Sequence, residues 1–241
     1  MSWRDWIRGV EIVPSIYAAD FTQLGAQLAS LLEAGARIFH FDVGDGHFVE
    51  EITMGPAVLQ SIAPLVHERG GIIACHLMVT EPGRQFAQLA KAGADSVTFH
   101  VEACDGDPSR VVERARALGL RVGVAFNPET PVERAAAAAE HADVALCMSI
   151  HPGLSGQSFM PEAYERIRQL RRLRPSGLIQ VDGGIHDANL AEVERAGADL
   201  LVAGSAIFWG GDPGAAYRRL CALVADTRVA AQPPEGSPES R

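Results

Sequence analysis

Eight apolar, strand-like runs alternate with eight helical patterns along 241 residues, which predicts an α/β chain closed as a (β/α)8 barrel. The runs fall near 12–17, 37–43, 72–79, 96–102, 121–127, 144–150, 178–182 and 200–206. The helical patterns fall near 22–34, 56–67, 83–91, 109–117, 132–140, 162–173, 187–195 and 213–225. A second observation is the junction Ala-Gly-Ala, at Ala34-Gly35-Ala36, Ala92-Gly93-Ala94 and Ala196-Gly197-Ala198. Each closes a helix before a strand, where glycine supplies the left-handed terminus. Eight such units in a chain of this length favour the barrel over an open doubly wound sheet. One domain over 1–225 is expected, opened by a short arm carrying Trp3 and Trp6. The stretch 226–241, with Pro233-Pro234 and Pro238, is expected to be a disordered tail.

The second run shows most clearly what the barrel would enclose. Branched and aromatic residues continue from Ile38 to Val43 and stop at Gly44. Side chains alternate along a strand, so Phe39, Phe41 and Val43 share the face that packs against helices. His40 and Asp42 share the other, at the strand's C-terminal end. Alone, this triplet reads more readily as a buried histidine beside a helix-capping aspartate. The third run ends Cys75-His76-Leu77-Met78, with His76 and Met78 on one face, and the seventh ends Val181-Asp182-Gly183. If all C-terminal ends share one mouth, His40, Asp42, His76 and Asp182 converge from three strands. That is a ligand set for one divalent metal with open positions for substrate.

The last three mouths carry a different chemistry. Pro152-Gly153-Leu154-Ser155-Gly156 follows the sixth run, Gly183-Gly184 the seventh and Gly204-Ser205 the eighth. Glycines let backbone N–H groups approach an anion, and helix N-termini beyond them add a favourable field. With no Lys or Arg in these loops, neutral donors would hold a phosphate. Each loop alone is also an ordinary turn.

Composition narrows the chemistry further. A net charge of −9 argues against nucleic acid or an anionic membrane as a partner. Cys75, Cys104, Cys147 and Cys221 lack C-x-x-C spacing and read as reduced thiols of a cytoplasmic protein. Charges and two tryptophans stand where a secretory leader would need an apolar run. Lys91 is the sole lysine and sits at a helix end, which removes Schiff-base chemistry.

The chain resembles the ribulose-phosphate 3-epimerase family over roughly residues 12 to 208. In the first half the resemblance rests on Pro14-Ser15-Ile16, Ala19-Asp20-Phe21, His40-Phe41-Asp42, Asp45-Gly46-His47-Phe48-Val49, His76-Leu77-Met78-Val79 and Thr98-Phe99-His100. It continues through Asn127-Pro128-Glu129-Thr130-Pro131, Met148, Pro152-Gly153, Gly156-Gln157, Val181-Asp182-Gly183-Gly184 and Val202-Ala203-Gly204-Ser205-Ala206. The resemblance implies a TIM barrel of the ribulose-phosphate-binding type. It implies that His40, Asp42, His76 and Asp182 hold one divalent metal (zinc, ferrous iron, manganese or cobalt), with Asp42 and Asp182 as the acid–base pair. Ser15, His76, Met78 and Met148 would meet the substrate, a phosphorylated ketose. Gly153, Leu154, Ser155, Gly156, Gly183, Gly184, Gly204 and Ser205 would hold its phosphate. A homo-oligomer is expected.

The mouth departs from the family pattern. Tyr17-Ala18 stand where Leu-Ser is usual, Gly44 where Met is usual, and Leu154-Ser155 where Phe-Gly is usual. Tyr17 is expected to fill the space a Met at 44 would take. The leading activity is interconversion of D-ribulose 5-phosphate and D-xylulose 5-phosphate. The alternatives are a 3-epimerase of another ketose phosphate of four to six carbons, and a catalytically silent phosphosugar-binding protein. His47, His100 and Glu102 fit supporting or polar-core roles better than direct chemistry.

Overall fold

A computed structural model describes residues 3–104 and 106–231, with side chains described to Val224. Eight parallel strands form one sheet: β1 Glu11–Pro14, β2 Ile38–Gly44, β3 Ile72–Met78, β4 Ser96–His100, β5 Arg121–Phe126, β6 Val144–Met148, β7 Leu178–Asp182 and β8 Leu200–Ala203. Their order is β1-β8-β7-β6-β5-β4-β3-β2, and an isolated parallel bridge from Ser15 to His40 draws the two end strands together into a nearly closed barrel.

The helices around it are α1 Trp3–Trp6, α2 Leu24–Glu33, α3 Pro56–Glu68, α4 Pro82–Ala92, α5 Pro108–Arg116, α6 Val132–Ala138, α7 Glu162–Leu173, α8 Leu190–Ala196, α9 Ser205–Phe208 and α10 Pro213–Ala231. Proline opens α3, α4 and α5, where its missing N–H is no loss. Gly93 and Gly197 close α4 and α8 as the Ala-Gly-Ala junctions predict. No helix of the described residues is long and apolar enough to cross a membrane.

Three expected strands run shorter than their apolar stretches. Ile16–Ala18 and Val101–Ala103 are single 3-10 turns, and Ser205–Phe208 is a short helix. The β1–β8 ladder ends with Pro14 opposite Ala203, so the residues beyond it have no further ladder partners there. Apolar character alone does not distinguish such a turn from a strand. The last helix passes Asp226, where the sequence places the start of the tail, and continues to Ala231; residues 232–241 lie outside the described residues.

Strand alternation divides the interior into layers. Phe39, Phe41 and Val43 pack outward among the helices in the main core. A second cluster joins Val13, Ile38, Ala74, Val144, Leu178, Leu200 and Val202 with Trp3 from the arm. Trp3 is only 1% exposed and meets Trp6 edge-on at 5.1 Å. The arm therefore stoppers the barrel below the polar layer. Trp3→Ala is expected to cost about 3–5 kcal/mol in denaturant unfolding, the cost of emptying a large buried site. A loss under about 1 kcal/mol would show that the arm is not part of the core.

Candidate active site

The polar layer is set by register. Asp42 on β2 pairs with His76 on β3, and Asp182 on β7 lies between Met148 and Val202 of its two neighbours. His40, Asp42 and His76 are buried, and Asp182 is slightly more open. Asp42 Oδ1 lies 3.1 Å from His40 Nε2 and 3.2 Å from His76 Nδ1. Asp182 Oδ2 lies 3.2 Å and 3.4 Å from the same two nitrogens, which are 3.2 Å apart. One ligand atom from each of the four side chains thus gathers within 4.8 Å of the others. Five of the six separations among these atoms are 3.1–3.4 Å, and imidazole nitrogen with carboxylate oxygen are donors that zinc-type ions take. The donor set therefore fits one divalent cation.

Charge in this layer is mutually imposed. Burial pushes His40 down, but the facing carboxylates of Asp42 and Asp182 outweigh it and hold the imidazole up at about 10. Burial pushes Asp42 and Asp182 up, and His40 with His76 pulls both below the usual carboxylate range. Burial likewise opposes the charged form of His76, and hydrogen bonds to Asp182 and Asp42 reverse it. The Ser15 hydroxyl donates to Asp42 Oδ2 at 2.7 Å, occupying the oxygen that faces away from the histidines.

Beyond His76 the polar chain continues. His76 Nε2 lies 2.8 Å from His100 Nε2, and His100 Nδ1 faces Glu102 Oε2 at 3.4 Å. Glu102 Oε1 accepts from the Asn127 N–H at 2.8 Å and from the Thr130 hydroxyl. Burial drives His100 down to about 4. Burial opposes the Glu102 charge, yet donors from His100, Thr130 and Asn127 hold it at about 2. His47, by contrast, turns to its own loop, with Nδ1 2.9 Å from the Asp45 carbonyl.

Above the cluster opens a cleft. Ser15, Asp42 and Asp182 line it below, and Met78 and Met148 form an apolar wall. The loop residues Gly153, Leu154, Ser155 and Gly156 border it together with Gly183, Gly184, Gly204 and Ser205. His76 alone among the expected substrate contacts does not line the cleft, because it is fully buried beneath. No Lys or Arg is among the lining residues. Gly183 and Gly184 have φ of 120° and 63°. A Cβ would come within 2.3 Å of Ile150 Cγ1 at the first and 2.5 Å of the Phe159 nitrogen at the second. The turn that ends β7 therefore admits only glycine.

Two residues that shape the site carry no sequence signal. The Thr53 hydroxyl donates to the Asp42 carbonyl and accepts from the Gly44 N–H, both at 2.7 Å. The Ser149 N–H donates to the Asp182 carbonyl at 2.8 Å, and its hydroxyl donates to the Gly183 carbonyl at 2.6 Å. Ile150, Ile185 and Val202 also line the cleft and read from sequence only as apolar residues.

Residues 11–208 match the family model of the ribulose-phosphate 3 epimerases. The chain belongs to that family. The ribulose-phosphate 3-epimerase of Escherichia coli (strain K12) is 42% identical over 204 residues, covering 82% of this chain and 88% of its own. The cytoplasmic isoform from Oryza sativa subsp. japonica is 40% identical over 207 residues, covering 85% and 90%. The solved structure of a 3-hexulose-6-phosphate synthase matches with a TM-score of 0.68 over 89% of this chain and 99% of its own. At 22% identity that likeness is one of fold alone.

Within the ribulose-phosphate 3-epimerase pattern, Gly44 has a different meaning from the one expected. A Cβ there would sit 2.7 Å from the Glu51 carbonyl oxygen, 3.0 Å from Val49 Cγ2 and 3.1 Å from Thr53 Cγ2. The position points at the loop between β2 and α3, and Gly44 does not line the cleft, whereas Tyr17 does. Tyr17 therefore does not fill space vacated at 44; the loop does. Gly44→Ala is expected to cost about 1–3 kcal/mol through overpacking against backbone, with no recovery on adding Tyr17→Leu. Stability restored in the double variant would return the two positions to direct contact.

Proposed function

We infer that this chain is a metal-dependent ribulose-phosphate 3-epimerase, an isomerase that interconverts D-ribulose 5-phosphate and D-xylulose 5-phosphate. One observation carries it: carboxylates from β2 and β7 meet two histidines beneath a cleft whose rim is glycine-rich and free of Lys and Arg. Epimerising the carbon beside a ketone removes its proton on one face and returns a proton on the other. Asp42 and Asp182 take these two roles and exchange them when the direction reverses. His40, Asp42, His76 and Asp182 would hold a divalent metal, which would supply electrostatic stabilisation for negative charge developing on the substrate oxygens. Ser15, hydrogen-bonded to Asp42 Oδ2, fixes the orientation of that carboxylate. Met78 and Met148 keep water from the flat intermediate. Gly183, Gly184, Gly204 and Ser205, with the 153–156 loop, receive the phosphate through neutral donors.

Tyr17 in the cleft favours a second reading, in which the ketose differs in length from a pentulose. A panel of ketose phosphates of four to six carbons separates the two, and the highest kcat/KM is expected on D-ribulose 5-phosphate. Asp42→Asn and Asp182→Asn should each lower kcat by about 10²–10⁴-fold, the usual contribution of a positioned acid or base. Near-native turnover in either variant, with metal content confirmed, would remove the two-carboxylate mechanism.

A further inference from the structure

We propose that His100 and Glu102 are positioning residues that fix the tautomer and ring plane of His76 and so set the affinity of the site for its metal. The inference rests on the metal-dependent reading above. His76 turns Nδ1 toward Asp42 and Asp182, leaving Nε2 against His100 Nε2 at 2.8 Å. A nitrogen that gives its lone pair to a cation carries no proton, so neutral His76 holds its proton on Nε2. His100 Nε2 must then accept, which places the His100 proton on Nδ1. That nitrogen faces Glu102 Oε2 at 3.4 Å, and neither atom has another hydrogen-bond partner. The opposite His100 tautomer would set N–H against N–H across the 2.8 Å contact.

Each step is anchored. The His76 and His100 ring centroids lie 5.0 Å apart with planes within 22°, so a 2.8 Å nitrogen contact joins them edge to edge. Phe48 packs on His100 with ring centroids 4.8 Å apart, and His100 is fully buried. Glu102 is held in turn by Asn127 N–H and the Thr130 hydroxyl, from the segment between β5 and α6. An order thus runs from that loop through β4 to β3. His40 has no such support: its Nδ1 is buried without a hydrogen-bond partner. The two histidines of the cluster are therefore not equivalent, and orientation of the site depends on the His76 side.

Cobalt(II) is the probe, added to the metal-free chain against a competing chelator, with unfolding midpoint and visible absorption recorded for each variant. His100→Leu should weaken cobalt binding about 10–100-fold and alter the ligand-field bands, as loss of a partner to a metal-bound histidine does. His100→Gln, whose amide both accepts from His76 and donates toward Glu102, should recover most of that loss. Glu102→Gln, at the far end of the chain, should show a smaller loss in the same direction. Unchanged cobalt affinity and spectrum in folded His100→Leu and Glu102→Gln would overturn the proposal, and if His100→Leu does not fold, Glu102→Gln decides alone. A wild-type chain that takes up no cobalt would instead overturn the metal site on which the proposal rests.

Discussion

Two carboxylates and two imidazoles meet below the cleft, each carboxylate oxygen 3.1–3.4 Å from both imidazole nitrogens, and the barrel mouth is arranged around that contact. Buried charges at this spacing are costly unless each is compensated. Here the carboxylates raise the histidines and the histidines lower the carboxylates, which outweighs the like-charge opposition of His40 to His76 and of Asp42 to Asp182. A divalent cation would draw on the same four donor atoms. The layer is thus a buried cluster of titratable groups whose charges are set by one another.

Holding four groups in place requires more than the strands that bear them. The β2–β3 ladder fixes Asp42 opposite His76, while Thr53 and Ser15 grip the backbone and the outer oxygen of Asp42. On the opposite side Ser149 ties the β7 end through the carbonyls of Asp182 and Gly183. Below, the Trp3 cluster closes the barrel with apolar side chains. Above, the cleft separates an apolar methionine wall from glycine turns. That division matches a ligand with a reactive carbon skeleton at one end and an anion at the other.

Much of this was legible in the sequence because strand alternation and strand ends are local properties. His40 and Asp42 two residues apart place both on the inner face, and the Ala-Gly-Ala junctions mark helix ends that the structure reproduces at Gly93 and Gly197. What the sequence hid depends on contacts between distant segments. Thr53 reaches Asp42 from the following loop, and Ser149 reaches Gly183 from the neighbouring strand, with no spacing to betray either. Gly44 misled for the same reason. A glycine two residues after an inward-facing aspartate suggests room in the pocket, yet its missing side chain makes room for the Glu51 carbonyl. The turns at Ile16–Ala18 and Val101–Ala103 were read as strand because apolar residues at a barrel rim are buried in either conformation.

The central claim is that Asp42 and Asp182 handle the proton on opposite faces of one intermediate, which fixes the origin of the hydrogen in the product. The direct measurement is conversion of D-ribulose 5-phosphate in deuterium oxide, followed by NMR of the third carbon from the first turnovers, with the metal-loaded and the chelator-treated chain. The account predicts D-xylulose 5-phosphate carrying solvent deuterium at that carbon, formed only by the metal-loaded chain. Product that keeps its original hydrogen, or conversion that proceeds equally after chelation, would contradict it.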